Sequence, residues 1–99
     1  MSFKELQGYQ FEELEIGMSA MYSRTITDTD LRNFSGVSGD TNPMHLNEEY
    51  AKSTVFKGCI VHGFLTASLL STVIGTKLPG AGCIYVSQTL KFKAPVHVG

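Results

Sequence analysis

The sequence predicts an α+β fold in which an antiparallel sheet wraps around one long central helix. Residues 58–76 contain no Lys, Arg, Asp or Glu, and within them an apolar helix is expected at about 60–75. Residues 83–93 alternate apolar and polar side chains, as a half-buried strand does. Residues 18–26 have the composition of a second strand. The chain has 99 residues, of which 42% are hydrophobic, so we expect one domain over residues 1–99.

The first predicted elements follow one another closely. A lead-in ends at Gly17, and the predicted strand 18–26 comes next. Thr27 and Asp30 form a helix-start pattern, because Thr is a good N-cap and an acidic side chain suits the positive end of a helix. This helix is expected to end in the glycine-containing segment 36–39.

A loop is predicted at residues 39–45, where the proline that follows Asn42 disfavours helical angles for Asn42. Asn47 is the predicted cap of a short helix, and residues 78–82 are a predicted turn.

The last predicted strand puts its apolar face on one side of the sheet. That face consists of Ile84, Val86, Leu90 and Phe92, together with the polar Gln88. The chain continues this strand to its end, where Pro95 favours an edge or a bulge. The central helix is apolar on most of its circumference and therefore needs cover on most sides. A curved sheet around it is the hot-dog fold.

Composition excludes several classes of function. The net charge is −1 and the pI about 6.3, without a basic stripe, so neither nucleic acid nor a charged membrane surface is indicated. The two cysteines lack metal-ligand spacing, and the first residues lack the apolar run of a signal peptide, so the cytoplasm is the expected compartment. A membrane span at 58–76 is the alternative to a buried helix, and the polar residues in that stretch disfavour it.

Asp40 and His45 form the first candidate site. A carboxylate and an imidazole on one short segment can share a water molecule and move its proton, which is general acid–base chemistry. The alternative is that Asp40 only makes an Asx turn with residues 41–43 and that His45 is merely exposed. Spacing alone leaves both interpretations open and slightly favours the turn.

Gly63 is the second candidate. A glycine in the first turn of a helix leaves its amide open to a ligand, and the helix N-terminus favours a developing negative charge. The alternative, which spacing alone favours, is that Gly63 only permits close packing. His62 is expected to be a capping or core histidine. Ser71 lies two helical turns beyond Gly63 and could orient a catalytic group, but it lacks the neighbouring base that a nucleophile needs.

Three runs of sequence resemble a known family. Residues 38–47 (SGDTNPMHLN) resemble the hydratase-2 signature of MaoC-like dehydratases. Residues 60–68 (IVHGFLTAS) resemble the family's entry to its central helix, and 90–96 (LKFKAPV) resemble its strand with a late Pro-Val. The three runs occur in the family's order and cover about residues 15–99. In particular, the chain resembles the monofunctional (R)-specific enoyl-CoA hydratases that supply polyhydroxyalkanoate synthesis.

This resemblance implies the reversible hydration of a trans-2-enoyl thioester to an (R)-3-hydroxyacyl thioester. It implies that Asp40 acts mainly as the base and that His45 positions the water and relays the proton. The Gly63 amide would bind the thioester carbonyl, Ser71 would orient the Asp/His pair, and Asn42 would brace the loop.

The resemblance also implies that coenzyme A is the handle of the substrate, that no metal or redox cofactor takes part, and that the protein is a homodimer or a larger homo-oligomer. Family domains usually continue past the last residue of this chain, so the sheet is expected to be incomplete at the C-terminus. A non-catalytic, acyl-thioester-binding or oligomerising hot-dog module is the main alternative. A thioesterase of this fold is disfavoured, because residues 62–76 carry no carboxylate.

Overall fold

The computed structural model describes residues 3–99 and contains four α-helices there. They are α1 (Asp28–Ser38), α2 (Pro43–Leu46), α3 (Glu48–Lys52) and α4 (Gly63–Thr76). The chain divides into two compact units, one formed by the residues up to 23 together with 68–89 and the other by 24–67 together with 90–99. Helix α4 contributes its first five residues to the second of these units and the remainder to the first.

Helix α1 begins as its sequence predicts. The Thr27 hydroxyl accepts a hydrogen bond from the Asp30 amide (3.3 Å), and the Asp30 carboxylate accepts one from the Thr27 amide (2.8 Å). This capping box satisfies amides that have no partner inside the helix. The bond from the Thr27 backbone is also the main reason why the pKa of Asp30 is lowered. Gly39 ends the helix with a left-handed conformation (φ 79°), which glycine adopts without strain.

The predicted loop at 39–45 is wrong for its second half, because Pro43–Leu46 forms the short helix α2. The Asn42 side chain accepts a hydrogen bond from the Met44 amide (3.0 Å) and so caps this helix. Proline is favoured at the first position of a helix, where its missing N–H is not needed. The prediction of a short helix capped by Asn47 is confirmed, since Asn47 accepts from the Tyr50 amide at the start of α3.

The two predicted strands are not formed. Residues 18–26 and 83–93 carry no strand assignment, and within residues 3–99 the sheet pairing consists of one antiparallel bridge between Ile60 and His97. Next to that bridge, the Val61 amide donates to the Val96 carbonyl (2.7 Å). A strand needs a neighbouring backbone to hydrogen-bond with, and alternation of side chains reports the faces of a segment but not its partner. Ile84 and Val86, predicted to face the core, are 83% and 88% exposed.

Helix α4 confirms the predicted central helix, but it begins at Gly63 and not at residue 60. The expectation that it is buried is wrong, since none of its residues is fully buried and Phe64 and Leu70 are largely exposed. Its apolar circumference lacks cover because no sheet surrounds it in the described residues. Within that same range, no helix has both the length and the hydropathy that crossing a membrane requires.

The unit that contains α1 has a small buried core. Its apolar members are Ile26, Leu31, Ala51, Cys59 and Val61. Two polar residues, Ser35 and His62, are buried with them. The last residues of the chain pack onto this unit, where the Gly99 amide donates to the Ile26 carbonyl (2.8 Å).

Cys59 is expected to react far more slowly than Cys83 with a thiol reagent such as DTNB at pH 8. Desolvation by burial, helped by the hydrogen bond and charge of nearby Glu48, raises the pKa of the Cys59 thiol from 9.0 to about 11. That shift lowers its thiolate fraction by about a hundredfold, and the thiolate is the reactive form. Mass spectrometry of the labelled peptides over time measures both rates. Equal rates would contradict this assignment, because Cys83 is less deeply buried.

In the other unit, two stretches of backbone approach each other closely at Gly8. The Gly8 amide donates to the Ala81 carbonyl (3.1 Å) and the Tyr9 amide to the Pro79 carbonyl (2.7 Å). A Cβ atom at residue 8 would clash with the Pro79 carbonyl oxygen, which is part of the backbone and cannot rotate out of the way as a side chain can.

We therefore expect Gly8→Ala to lower the free energy of unfolding by about 1–3 kcal/mol, the usual cost of overpacking. Urea denaturation followed by circular dichroism measures this change. Gly36→Ala is the matched control, because a Cβ atom there meets nothing within 4 Å and alanine favours a helix interior. Equal urea midpoints for the two variants would show that the contact at Gly8 contributes nothing.

Candidate active site

Asp40 lies just after the end of α1, with its side chain at the surface. Its amide donates to the Ser38 hydroxyl (3.1 Å), and its Oδ1 accepts a hydrogen bond from the Asn42 amide (3.3 Å). The Asx turn weighed as an alternative is therefore present. A carboxylate has about four acceptor positions, so this one bond leaves most of its capacity for a ligand. The turn fixes the carboxylate and does not exclude a catalytic role.

His45 lies in α2 and is held by its own hydrogen bond. Its Nδ1 is 2.7 Å from the Ile60 carbonyl oxygen, and the ring is partly buried. A carbonyl only accepts, so Nδ1 carries the proton in the neutral ring and Nε2 keeps a lone pair. The interpretation of His45 as merely exposed is wrong. Its fixed tautomer leaves Nε2 able to accept a proton or bind water.

His62 lies beneath this pair. The His45 and His62 rings stack with their centroids 3.8 Å apart and their planes at 25°. Nε2 of His62 is 3.1 Å from both the Asp40 carbonyl oxygen and the Ser35 hydroxyl. The prediction of a core histidine is confirmed, because His62 is only 2% exposed.

Gly63 is the first residue of α4, so its amide has no carbonyl partner within the helix. A Cβ atom at this position would lie 3.0 Å from the ring of Phe92, so close packing is also a property of this glycine. Both interpretations of Gly63 therefore have a physical basis.

A cavity of about 430 Å³ adjoins Asp40, His62 and Gly63, whereas His45 is not among its lining residues. It is lined by Phe34, Ser38, Asp40, His62, Gly63 and Phe64. Its wall combines aromatic rings with a carboxylate and the open end of a helix, as small-molecule sites do. The structure thus brings Asp40, Gly63 and the ring beneath His45 to one place.

The other two predicted site residues are Asn42 and Ser71. Asn42 caps α2 with its side chain, and that bond holds the segment between Asp40 and His45 in shape. Ser71 lies on α4 two turns beyond Gly63 and is exposed. Its role as an orienting group stays a prediction.

Asp40, His45 and His62 are also residue types that bind metals, and one ligand atom from each lies within 4.8 Å of the others. The ring geometry does not favour a shared ion. A metal lies in the plane of each imidazole that binds it, whereas two rings stacked at 25° direct their in-plane lone pairs side by side. Nδ1 of His45 and Nε2 of His62 are moreover engaged with carbonyl oxygens.

Sequence reasoning missed two residues of this site. Ser35 is buried against His62, and the Phe34 ring lies 4.8 Å from the His62 ring. A signal was available, because Phe34 and Ser38 are four residues apart and share one face of α1 just before Asp40.

Comparison with known proteins identifies the family of this chain. A family model described as "MaoC like domain" matches residues 12–99. The (R)-specific enoyl-CoA hydratase of Rhodospirillum rubrum is 52% identical over 99 residues, which are 100% of this chain and 69% of that protein. The 3-hydroxybutyryl-CoA dehydratase of Methylorubrum extorquens is 46% identical over 95 residues, which are 96% of this chain and 60% of that protein.

Solved structures of similar proteins indicate the same family. An unliganded R-hydratase from Pseudomonas aeruginosa superposes with a TM-score of 0.89 at 48% identity, over 95% of this chain and 61% of that one. An (R)-hydratase from Aeromonas caviae, described as involved in PHA biosynthesis, gives 0.86 at 44% identity, over 89% of this chain and 67% of that one. This chain therefore spans about three fifths to two thirds of the length of these relatives. It belongs to the MaoC-like family, whose members include (R)-specific enoyl-CoA hydratases, and it shares their hot-dog fold.

Proposed function

We propose that this protein catalyses the reversible hydration of a trans-2-enoyl-CoA to an (R)-3-hydroxyacyl-CoA, with water activated by Asp40 and His45. Its similarity to proteins named as enoyl-CoA hydratases and a 3-hydroxybutyryl-CoA dehydratase supports this reaction class.

The observation that carries the proposal is the spacing of the two side chains. A carboxylate oxygen of Asp40 and a ring nitrogen of His45 lie within 4.8 Å of each other. A water molecule that makes two hydrogen bonds of about 2.8 Å at a tetrahedral angle joins atoms about 4.6 Å apart. A separation of at most 4.8 Å allows one water molecule to be bound by both side chains, and in the proposed mechanism that water is polarised by Asp40 and His45 together.

The proposed steps follow from the chemistry of these groups. Asp40 acts mainly as the base, and the oxygen of the water attacks the β-carbon of the enoyl thioester. Negative charge develops on the thioester oxygen, where the Gly63 amide at the helix N-terminus stabilises it. His45 positions the water and relays the proton to the α-carbon. The hydroxyl and the proton are both added to the substrate, so the enzyme regains its starting protonation state.

The remaining parts of the proposal are predictions from the sequence. Coenzyme A is the handle of the substrate, and neither a metal nor a redox cofactor takes part in the reaction. Ser71 orients the Asp/His pair. The protein works in the cytoplasm as a homodimer or larger homo-oligomer.

The test follows the hydration of crotonyl-CoA by the loss of enoyl absorbance and analyses the product for the (R)-configuration. Calorimetric titration with the same thioester measures binding separately. Turnover to the (R)-product is the expected result. A folded protein that binds crotonyl-CoA without converting it would favour the alternative, a non-catalytic acyl-thioester-binding module. Absence of both binding and turnover would contradict the proposal.

A further inference from the structure

His62 contacts several parts of the candidate site without belonging to the predicted catalytic pair. It directly precedes Gly63, its ring stacks on His45, and its Nε2 lies 3.1 Å from the Asp40 carbonyl oxygen. It also contributes to the wall of the cavity.

The hydrogen bonds of His62 fix its tautomer. The Asp40 carbonyl can only accept, so Nε2 of His62 must carry the proton and donate it. The Ser35 hydroxyl, at the same distance from Nε2, can accept a share of that hydrogen. In the neutral ring, Nδ1 therefore carries the lone pair.

That lone pair is buried without a partner. Nδ1 of His62 is enclosed and has no hydrogen-bond partner among residues 3–99. Burying an acceptor that has no hydrogen-bond partner is destabilising. A phenyl ring could stack against Phe34 and His45 and would avoid this cost, because it has no lone pair to bury. A buried polar group that is unpaired on one side calls for an explanation other than packing.

We infer that His62 is a positioning residue for the proposed hydration: it holds the Asp40 backbone through Nε2–H and the His45 ring through stacking. It does not touch the reacting atoms. This inference rests on the proposed function. Its physical basis is that catalytic groups must be held within a fraction of an ångström, and displacement by 1 Å costs about a hundredfold in rate.

Two variants separate the two contacts. His62→Gln keeps a donor that can reach the Asp40 carbonyl but removes the ring from His45. His62→Phe keeps a ring against His45 but removes the donor. Each is expected to lower kcat for crotonyl-CoA by about tenfold to a hundredfold, with KM changed less than about twofold.

His62→Phe alone would leave the buried Ser35 hydroxyl without its hydrogen-bond partner. We therefore combine it with Ser35→Ala, so that this loss does not add to the effect of removing the donor at residue 62. We expect Ser35→Ala/His62→Phe to be fully folded at the assay temperature, as Ser35→Ala alone is, and yet to have a lower kcat than Ser35→Ala. If His62 had a purely structural role, activity would fall only in proportion to the loss of folded protein.

NMR of the His45 ring gives a readout that does not depend on activity. We expect the proton on Nδ1 of His45 in all three proteins, because the Ile60 carbonyl is unchanged, with sharp ring signals in the parent protein and in His62→Phe and broadened ring signals in His62→Gln, which lacks the stacked ring. If the parent protein is inactive but His45 responds in this way, the proposed function fails and the positioning of His45 stands. If the parent is active while both variants keep its kcat and its His45 signals, the inference is wrong.

Discussion

Asp40→Asn is expected to lower kcat for crotonyl-CoA hydration by about a hundredfold or more, which is within the range for loss of a general base. An amide cannot take the proton of the attacking water. It can still accept the hydrogen bond from the Asn42 amide through its carbonyl oxygen, so the turn is kept. The side chain is exposed, and the urea midpoint is therefore expected to stay unchanged. Enoyl absorbance and urea denaturation measure the two effects.

Asp28→Asn is the matched control for this experiment. Asp28 is also an exposed aspartate of the same unit, and it makes a surface ion pair with Arg32 four residues on. Such pairs contribute at most about 1 kcal/mol, and we expect kcat within about twofold of the parent. If both variants lost activity equally, the effect would come from net charge and not from Asp40. If Asp40→Asn kept full activity, the proposed mechanism would be wrong.

The helices could be predicted because their start and stop signals are local. Thr27 and Asp30 satisfy each other across three residues, and Gly39 ends the helix through its own backbone angle. Asn47 caps α3 in the same local way. The start of α2 was missed because Asn42 before Pro43 can serve either as a turn or as an N-cap, and the two patterns share their residues.

The strands could not be predicted reliably, because pairing depends on residues distant in sequence. The alternation across residues 83–93 shows which side chains would share a face of a sheet, but it does not identify the strand with which this segment would pair. Among residues 3–99, the bridge that does form joins Ile60 to His97, which the local pattern gave no reason to pair. The same limit explains the overestimated burial of α4. An apolar helix surface is stabilised by burial, but the sequence of the helix does not show which residues pack against it.

The site was predicted in part. Asp40 and His45 were proposed because they lie five residues apart on one short segment, and Gly63 because it begins an apolar helix, and their catalytic roles stay predictions. The stacking of His45 on His62 joins residues that are seventeen positions apart in the chain. Neither this contact nor the fixed tautomer of His45 follows from spacing, because the stacking requires the start of α4 to lie beside α2 and the tautomer depends on where the Ile60 carbonyl lies.

Leu31→Ala is expected to lower the free energy of unfolding by about 2–5 kcal/mol, the usual cost of emptying a leucine site in a packed core. Leu31 is fully buried, and the apolar core around it is small, so neighbouring side chains have little scope to fill the space. Because domains of this size are stable by only about 5–15 kcal/mol, this single change removes a large part of the total. Urea denaturation followed by circular dichroism measures it.

Val37→Ala on the same helix is the control, because Val37 is 89% exposed and its truncation should change stability by no more than about 0.5 kcal/mol.

Leu31→Ala should also lose activity, but for a different reason from Asp40→Asn. Helix α1 carries Ser35 against His62 and ends directly before Asp40, so its anchoring holds the candidate site together. In Leu31→Ala, activity that falls in proportion to the folded fraction would identify Leu31 as a structural residue. In Asp40→Asn, activity that is lost while the protein stays folded would identify Asp40 as a catalytic residue. An unchanged urea midpoint in Leu31→Ala would mean that this unit is not organised around α1.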